Sequence, residues 1–185
     1  MRIIAGAAKG RRLTAPAGDD VRPTADRAKE ALFSSLQPVL VGARVLDLYA
    51  GSGALGLEAR SRGAAEVEFV ERDRGALEAL RTNLDAVGLD GCTVRPAPVS
   101  VVLAAGFDGR RFDLVLADPP YTLDDAEVAA MLTALVDHLA ADATVVVERA
   151  RRAAAPAWPD GFAVGDARRY GAAVLHRAVW QPTAA

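Results

Sequence analysis

The stretch that most limits what this chain can fold into is a turn: the run Val45-Leu46-Asp47-Leu48 passes into Tyr49-Ala50-Gly51-Ser52-Gly53-Ala54-Leu55-Gly56 and then into helical periodicity. Glycines at such a point let the backbone turn sharply off a strand, admit a ligand against bare main chain, and start a helix. The alternation continues down the chain. Strands are predicted at 44–48, 66–71, 92–96, 112–117 and 143–148, and helices at 54–62, 74–87, 98–105 and 124–140. That pattern belongs to a mostly parallel sheet covered by helices on both faces, an α/β fold whose ligands sit beyond the carboxyl ends of the strands. With 185 residues, there is room for one such domain and a small appendage, not for two full domains.

The appendage is predicted at residues 1–23, where Gly6, Gly10, Pro16, Gly18 and Pro23 separate short apolar pieces in the manner of a β-hairpin or extended arm. Residues 24–185 then form the main domain. Thr24 is the predicted N-cap of a helix in which Ala28, Ala31, Leu32 and Leu36 share a face up to Pro38. After Pro159, two β-type runs, 162–169 and 172–180, hinge at Gly171 and predict an antiparallel hairpin that closes one edge of the sheet.

No apolar run approaches the roughly 18–20 residues of a membrane span. The N-terminus lacks the apolar core of a secretion signal, and Cys92, the single cysteine, has no internal disulfide partner. A soluble, cytoplasmic monomer is expected. His138, His176 and Cys92 make no metal-ligand spacing, so no metal is expected. The net charge of −2 is unevenly spread: both ends are net basic and the middle is acidic. Clustered Lys and Arg suit a phosphate-bearing partner at one edge of the molecule better than the sum suggests.

Two constellations carry chemistry. Gly51-Ser-Gly53-Ala-Leu-Gly56 has the spacing of the dinucleotide fingerprint, which alone is weak evidence. The flanking carboxylates discriminate. Asp47 stands before the turn, where it can order the backbone and meet a cationic amino-acid group, whereas a pyrophosphate would be repelled. Glu71 closes the next predicted strand, placed to accept both hydroxyls of a ribose. This arrangement favours S-adenosylmethionine over NAD, with the backbone of Ala50, Gly51 and Gly53 against the ligand and Arg72 beside Glu71. The turn Ala97-Pro98-Val99 is expected to hold adenine through an N–H and an apolar side chain, although Pro98 removes one donor.

The second constellation, Asp118-Pro119-Pro120-Tyr121, follows the β-type run Phe112–Ala117. Methylating an exocyclic amine on an aromatic base is hard because the nitrogen lone pair is delocalised into the ring. Two acceptors on its N–H groups, the Asp118 carboxylate and the Pro119 carbonyl, would hold that nitrogen more tetrahedral and aim it at a methyl donor. Pro119 and Pro120 fix the backbone, and Tyr121 offers a face for stacking, worth about 1–3 kcal/mol per base. A base inside a duplex cannot reach such a site, so the acceptor should be looped, flipped or single-stranded.

Arg2-Ile-Ile-Ala-Gly6, Lys9-Gly10-Arg11, Arg22-Pro-Thr-Ala-Asp-Arg27, Leu46 through Ala59, Ser61-Arg-Gly-Ala64, Asp118-Pro-Pro-Tyr121 and Arg169-Tyr-Gly171 together resemble the RsmD family of bacterial 16S ribosomal RNA guanine-N2 methyltransferases. The resemblance covers nearly the whole chain. It implies a Rossmann-like class I S-adenosylmethionine-dependent fold: a seven-stranded, mostly parallel sheet whose last strand is antiparallel. It also implies that Asp47, Gly51, Gly53 and Glu71 belong to the cofactor pocket and Asp118 to Tyr121 to the catalytic turn. The family modifies one hairpin-loop guanine near the ribosomal P site, late in assembly of the 30S subunit. On this basis Lys9, Arg11 and Arg12 are expected to meet RNA phosphates, and Arg22, Thr24 and Arg27 to help close the cofactor site. The chain departs from the family at Ala97-Pro98-Val99, where relatives usually carry Asp or Asn. Two other readings stay open at this point: a methyltransferase for adenine or a protein glutamine, and a noncatalytic RNA-binding assembly factor.

Overall fold

Runs that stay buried along their whole length, such as the apolar Leu114–Ala117 and Val45–Leu48 with its single carboxylate, can only be satisfied in a sheet with helices on both faces. That is how they are used in the computed structural model, which describes residues 1–16 and 23–182, the side chains of 23–27 excepted. Strands β1 (Arg44–Leu48), β2 (Glu66–Glu71), β3 (Cys92–Pro96), β4 (Phe112–Ala117) and β5 (Leu139–Ala150) run parallel. The helices between them are α2 (Ala54–Ser61), α3 (Arg74–Val87), α4 (Val99–Ala105) and α5 (Asp125–Leu135), and α1 (Pro23–Leu40) precedes β1. At the far edge, β8 (Ala173–Trp180) is antiparallel to β5 and also pairs with β6 (Phe162–Val164) and β7 (Arg168–Tyr170). The order across the sheet is β3-β2-β1-β4-β5-β8-β6, with β7 off that path against β8. Chain order reverses between β1 and β4, and a crevice opens at their carboxyl ends.

Among the described residues the sheet therefore has eight strands where seven were expected. The predicted run 162–169 is interrupted near Gly165, whose N–H still reaches Arg177 O at 2.8 Å. β6 and β7 thus take successive lengths of one edge of β8. Three other boundaries differ. Pro23 already opens α1, a first-turn position that its fixed φ favours, so Thr24 is inside the helix rather than its N-cap. α1 also runs through Pro38, because the buried Leu36 and Leu40 hold its last turn on the core. Residues 136–138 form a 3₁₀ turn and β5 begins at Leu139, where the β4/β5 register slips between Phe112 and Leu114 and Asp142 adopts φ +60°.

Alternation splits the apolar side chains between two cores. Leu114, Leu116 and Val146, with Phe69 of β2, face α1, α2 and α3 through Phe33, Leu36, Leu57 and Leu80. Val115, Ala117, Val145 and Val147 face α4 and α5 through Leu103, Met131 and Leu132, with Phe107 from the connection after α4. α5 is started by a reciprocal cap in which Asp124 accepts from the Glu127 N–H and Glu127 from the Asp124 N–H. No helix among the described residues is long and apolar enough to cross a membrane.

The N-terminal residues pair antiparallel through Arg2 and Arg12, with Ile3, Ala8 and Leu13 buried in the first core. Polar contacts from α2 fix them there. Glu58, fully buried, accepts the N–H groups of Ile4 at 2.7 Å and Ala5 at 3.1 Å. Ser61 Oγ accepts from Ala8 N and donates to Ala5 O. Gly6, at φ +83°, lies so close that a Cβ there would fall 1.8 Å from Ser61 O, which leaves room only for glycine. Asn83 of α3 ties the end of this segment to the glycine turn: it accepts from Thr14 N and donates to Thr14 O and Ser52 O.

Candidate active site

The turn after β1 is built from unusual backbone. Tyr49, Gly51 and Gly53 adopt φ of +58°, +55° and +78°, Ala50 N donates to Val70 O of β2, and Gly53 N returns to Ala50 O. A Cβ at Gly53 would fall 2.3 Å from Leu80 Cδ1, whereas one at Gly51 would meet nothing within 4 Å. The turn is packed on its inner side and open on its outer one.

Two carboxylates brace it. Asp47 is buried, and its Oδ2 accepts the Gly56 N–H at 2.8 Å. Burial drives its pKa well above the usual carboxylate value, the Gly56 N–H partly offsets this, and the nearby Asp118 and Glu71 raise it further. Glu71 accepts the Gly51 N–H at 2.8 Å through Oε2 and those of Arg72 and Asp73 through Oε1. It ties the end of β2 to the glycine turn, a bracing role that strand position alone did not disclose. Asp73 caps α3 by accepting from Ala76 N.

Asp47→Asn isolates the burial effect. An amide oxygen can still accept the Gly56 N–H without a buried charge, so the variant should unfold roughly 2–4 °C higher at pH 8. Because the folded carboxyl has the raised pKa, wild type loses stability as pH rises above the ordinary carboxylate range, and the advantage of the variant should shrink toward pH 4. Melting curves at the two pH values check this; an unchanged midpoint at pH 8 would contradict it.

The second turn is held at both ends. Asp118 N reaches Leu48 O of β1 at 3.4 Å, and Leu123 N returns to Pro120 O at 2.9 Å. Arg149 of β5 reaches across with one guanidinium N–H on Leu123 O and another on Asp125. Pro119 is buried, Asp118 and Pro120 are exposed, and Tyr121 is 66% exposed.

Two cavities meet at Asp118. The larger, about 1030 Å³, is bordered by Glu71, Arg72, Pro98, Val99, Met131 and Asp118. It combines carboxylates on one side with an apolar slot between α4 and α5. The smaller, about 360 Å³, lies over the first core, with Leu32, Leu116 and Val146 as apolar wall and Asp118, Tyr121 and Glu148 as polar groups. Met1, Lys29 and Tyr170 also reach it, so the N-terminal segment, α1 and β7 all contribute to its rim.

Most of the predicted cofactor residues are thus brought together. Glu71, Arg72, Pro98 and Val99 line the larger cavity, with Pro98 as N-cap of α4, and Asp47, Ala50, Gly51 and Gly53 form the turn that Glu71 binds. Lys9, Arg11 and Arg12 are exposed on the N-terminal segment, but Arg11 is partly engaged, donating to Ala86 O near the end of α3. Arg22 and the side chains of Thr24 and Arg27 lie outside the described residues. Sequence reasoning missed Glu148, Lys29 and Arg149. For Glu148 the one available signal was a carboxylate closing the run Thr144-Val145-Val146-Val147. No group of three or more His, Cys, Asp or Glu suited to a metal ion occurs among the described residues.

The model of the family described as Conserved hypothetical protein 95 matches residues 1–179. Ribosomal RNA small subunit methyltransferase D of Escherichia coli (strain K12) is 39% identical over 148 residues, which are 80% of this chain and 74% of that protein. The protein of the same name from Haemophilus influenzae is 37% identical over 153 residues, 80% of this chain and 78% of its own. Among solved structures, Escherichia coli yhhF matches with a TM-score of 0.84 at 33% identity, covering 99% of both chains. A hypothetical protein of Thermus thermophilus matches with a TM-score of 0.81 at 33% identity, covering 98% of this chain and 99% of its own.

Proposed function

The chain belongs to the Conserved hypothetical protein 95 family, and from that membership we propose that it transfers a methyl group from S-adenosylmethionine to the exocyclic N2 of a guanine in a hairpin loop of 16S ribosomal RNA, in the assembled or nearly assembled 30S subunit. The observation that carries the reading is the meeting of the two cavities at Asp118. One has the features of a nucleoside site and the other admits a planar group. Relatives that align over 80% of this chain at 37–39% identity and are named for small-subunit ribosomal RNA support the acceptor.

The residues present fit S-adenosylmethionine. Glu71 offers a carboxylate at the strand end where ribose hydroxyls are held, Val99 and Met131 offer an apolar slot for adenine, and the glycine turn is open at Gly51. When bound, the cofactor supplies an electrophilic methyl group on a sulfonium. The rest is the work of this chain. Asp118 and the Pro119 carbonyl accept the two N–H groups of the amine, fixing its direction, and the Asp118 carboxylate offsets positive charge growing on N2 and takes the proton that nitrogen sheds. Tyr121 stacks on the extruded base. The prolines keep both acceptors in place, and the Leu48 and Arg149 contacts hold the turn. No protein nucleophile is required.

Lys9 and Arg12 are proposed to contact RNA phosphates, with Arg11 doing so less because it also holds Ala86 O. Lys9→Ala with Arg12→Ala should make the slope of log affinity against log salt shallower by roughly 1.4–1.8, as expected for losing two phosphate contacts. Filter-binding titrations at several salt concentrations check this, and an unchanged slope would remove the segment from the interface. The reading as a whole is tested by offering labelled cofactor with small subunits, stripped 16S RNA, DNA and release-factor protein. Label in the ribosomal acceptors alone is expected; label only in DNA or protein, or in none, would point to another acceptor or a noncatalytic binder.

A further inference from the structure

Glu148 lies near the end of β5 and lines the smaller cavity, and the reaction as described leaves it without a task. Its place is set by register. Leu116 pairs with Val146 and Ala117 with Val147, the last pair of the β4/β5 ladder, so Asp118, just past β4, and Glu148, still in β5, stand side by side on the face that carries Leu116 and Val146. Neighbouring strands are about 4.8 Å apart, and both carboxylates line the same cavity. Burial first, and then the charge on Asp118, push the Glu148 pKa up to about 7. Two carboxylates placed together in a partly dry pocket repel one another unless donors come between them.

The base proposed above brings such donors. The Watson–Crick edge of guanine carries N1–H and the N2 amine on adjacent atoms, whereas adenine offers a bare N1 acceptor and no amine at C2. We infer that Glu148 is a specificity-determining residue: building on the proposed guanine-N2 reaction, its carboxylate takes the guanine N1–H while Asp118 takes the N2 amine, so the pair selects a base with donors on both atoms. A site that hydrogen-bonds a substrate N–H rejects analogues lacking it far more strongly than an apolar pocket can. Drawing on N1–H also sends electron density toward N2, which favours its attack.

Other ionisable groups lie near Glu148. Lys29 of α1, Tyr121 and Tyr170 border the same cavity, and Arg177, on the same face of β8, donates to Ser35 O. Glu148 must be ionised to accept from N1–H, so kcat/KM for guanine RNA should rise with pH through about 7 and then level.

The test uses acceptor RNA carrying either guanine or 2-aminopurine at the methylated position. 2-Aminopurine keeps the C2 amine but has an unprotonated N1. Wild type should prefer guanine by roughly 100-fold or more in kcat/KM. Glu148→Gln should lose roughly 10- to 100-fold on guanine, lose the limb near pH 7, and compress the guanine preference at least tenfold, since an amide can turn to donate to N1. Equal losses on both RNAs, or a limb that persists in the variant, would overturn the inference. Should wild type leave guanine RNA unmethylated, the parent reading fails separately. Equilibrium binding of the same two RNAs then decides the role of Glu148: a guanine preference present in wild type and lost in Glu148→Gln upholds it, and the same preference in both proteins ends it.

Discussion

Asp118→Ala is expected to lower the rate of methyl transfer by roughly 10²–10³-fold at saturating RNA and cofactor, the range for removing one preorganised electrostatic partner of a transition state. KM for RNA should change less, because Tyr121 stacking and phosphate contacts remain. Folding should survive, since the Asp118 side chain is exposed and its N–H still reaches Leu48 O. A second consequence tells lost charge from lost geometry. Asp118 is among the groups that raise the pKa of both Asp47 and Glu148, so removing it should draw both downward. Any residual activity of the variant should therefore hold to lower pH than that of wild type. Single-turnover rates between pH 5.5 and 8.5 measure both effects. A variant within tenfold of wild type would mean that the amine is positioned by the Pro119 carbonyl alone.

The largest expected effect on stability lies away from the chemistry. Glu58→Ala should cost about 3–5 kcal/mol, the penalty for breaking a buried ion pair by removing one partner. Glu58 is fully buried, pairs with Arg62 at 2.7 Å and Lys29 at 3.5 Å, and accepts two N–H groups of the N-terminal segment. Alanine would leave those N–H groups without that acceptor and loosen the segment that brings Met1 to the smaller cavity. Urea denaturation should show the lower stability, and limited proteolysis should cut first near residues 1–13. A loss below about 1 kcal/mol would mean that burial of Ile3, Ala8 and Leu13 holds the segment without help.

What the sequence disclosed, and what it withheld, follows from the range of the interactions involved. The glycine turn and Asp118-Pro119-Pro120-Tyr121 were legible because their backbone demands are local: positive φ at Gly51 and Gly53, and fixed φ at two successive prolines. β4 was legible because Leu114–Ala117 reads as an unbroken apolar run, and β1, β2 and β3 because short β-type runs alternate there with helical periodicity. The start of β5 was not, since Leu139 pairs with Phe112 ahead of a register slip that no periodicity encodes. The docking of the N-terminal segment rests on Glu58 and Ser61, more than fifty positions away in sequence, and a Glu in the middle of a helix looks like solvated surface until the fold buries it. Glu148 was overlooked for a similar reason. Its meaning depends on which strand lies beside β5, and sheet order, not local sequence, puts Asp118 there.

The central claim is N2 methylation of guanine in small-subunit RNA at a turn built on Asp118. The most direct measurement is tritiated methyl transfer from S-adenosylmethionine to small subunits lacking the modification, followed by nuclease digestion and mass spectrometry of the labelled nucleoside, with wild type and Asp118→Ala compared. The account predicts N2-methylguanosine at one loop position with wild type and almost none with the variant. Label in another nucleoside or in protein, or equal N2-methylguanosine from both proteins, would contradict it.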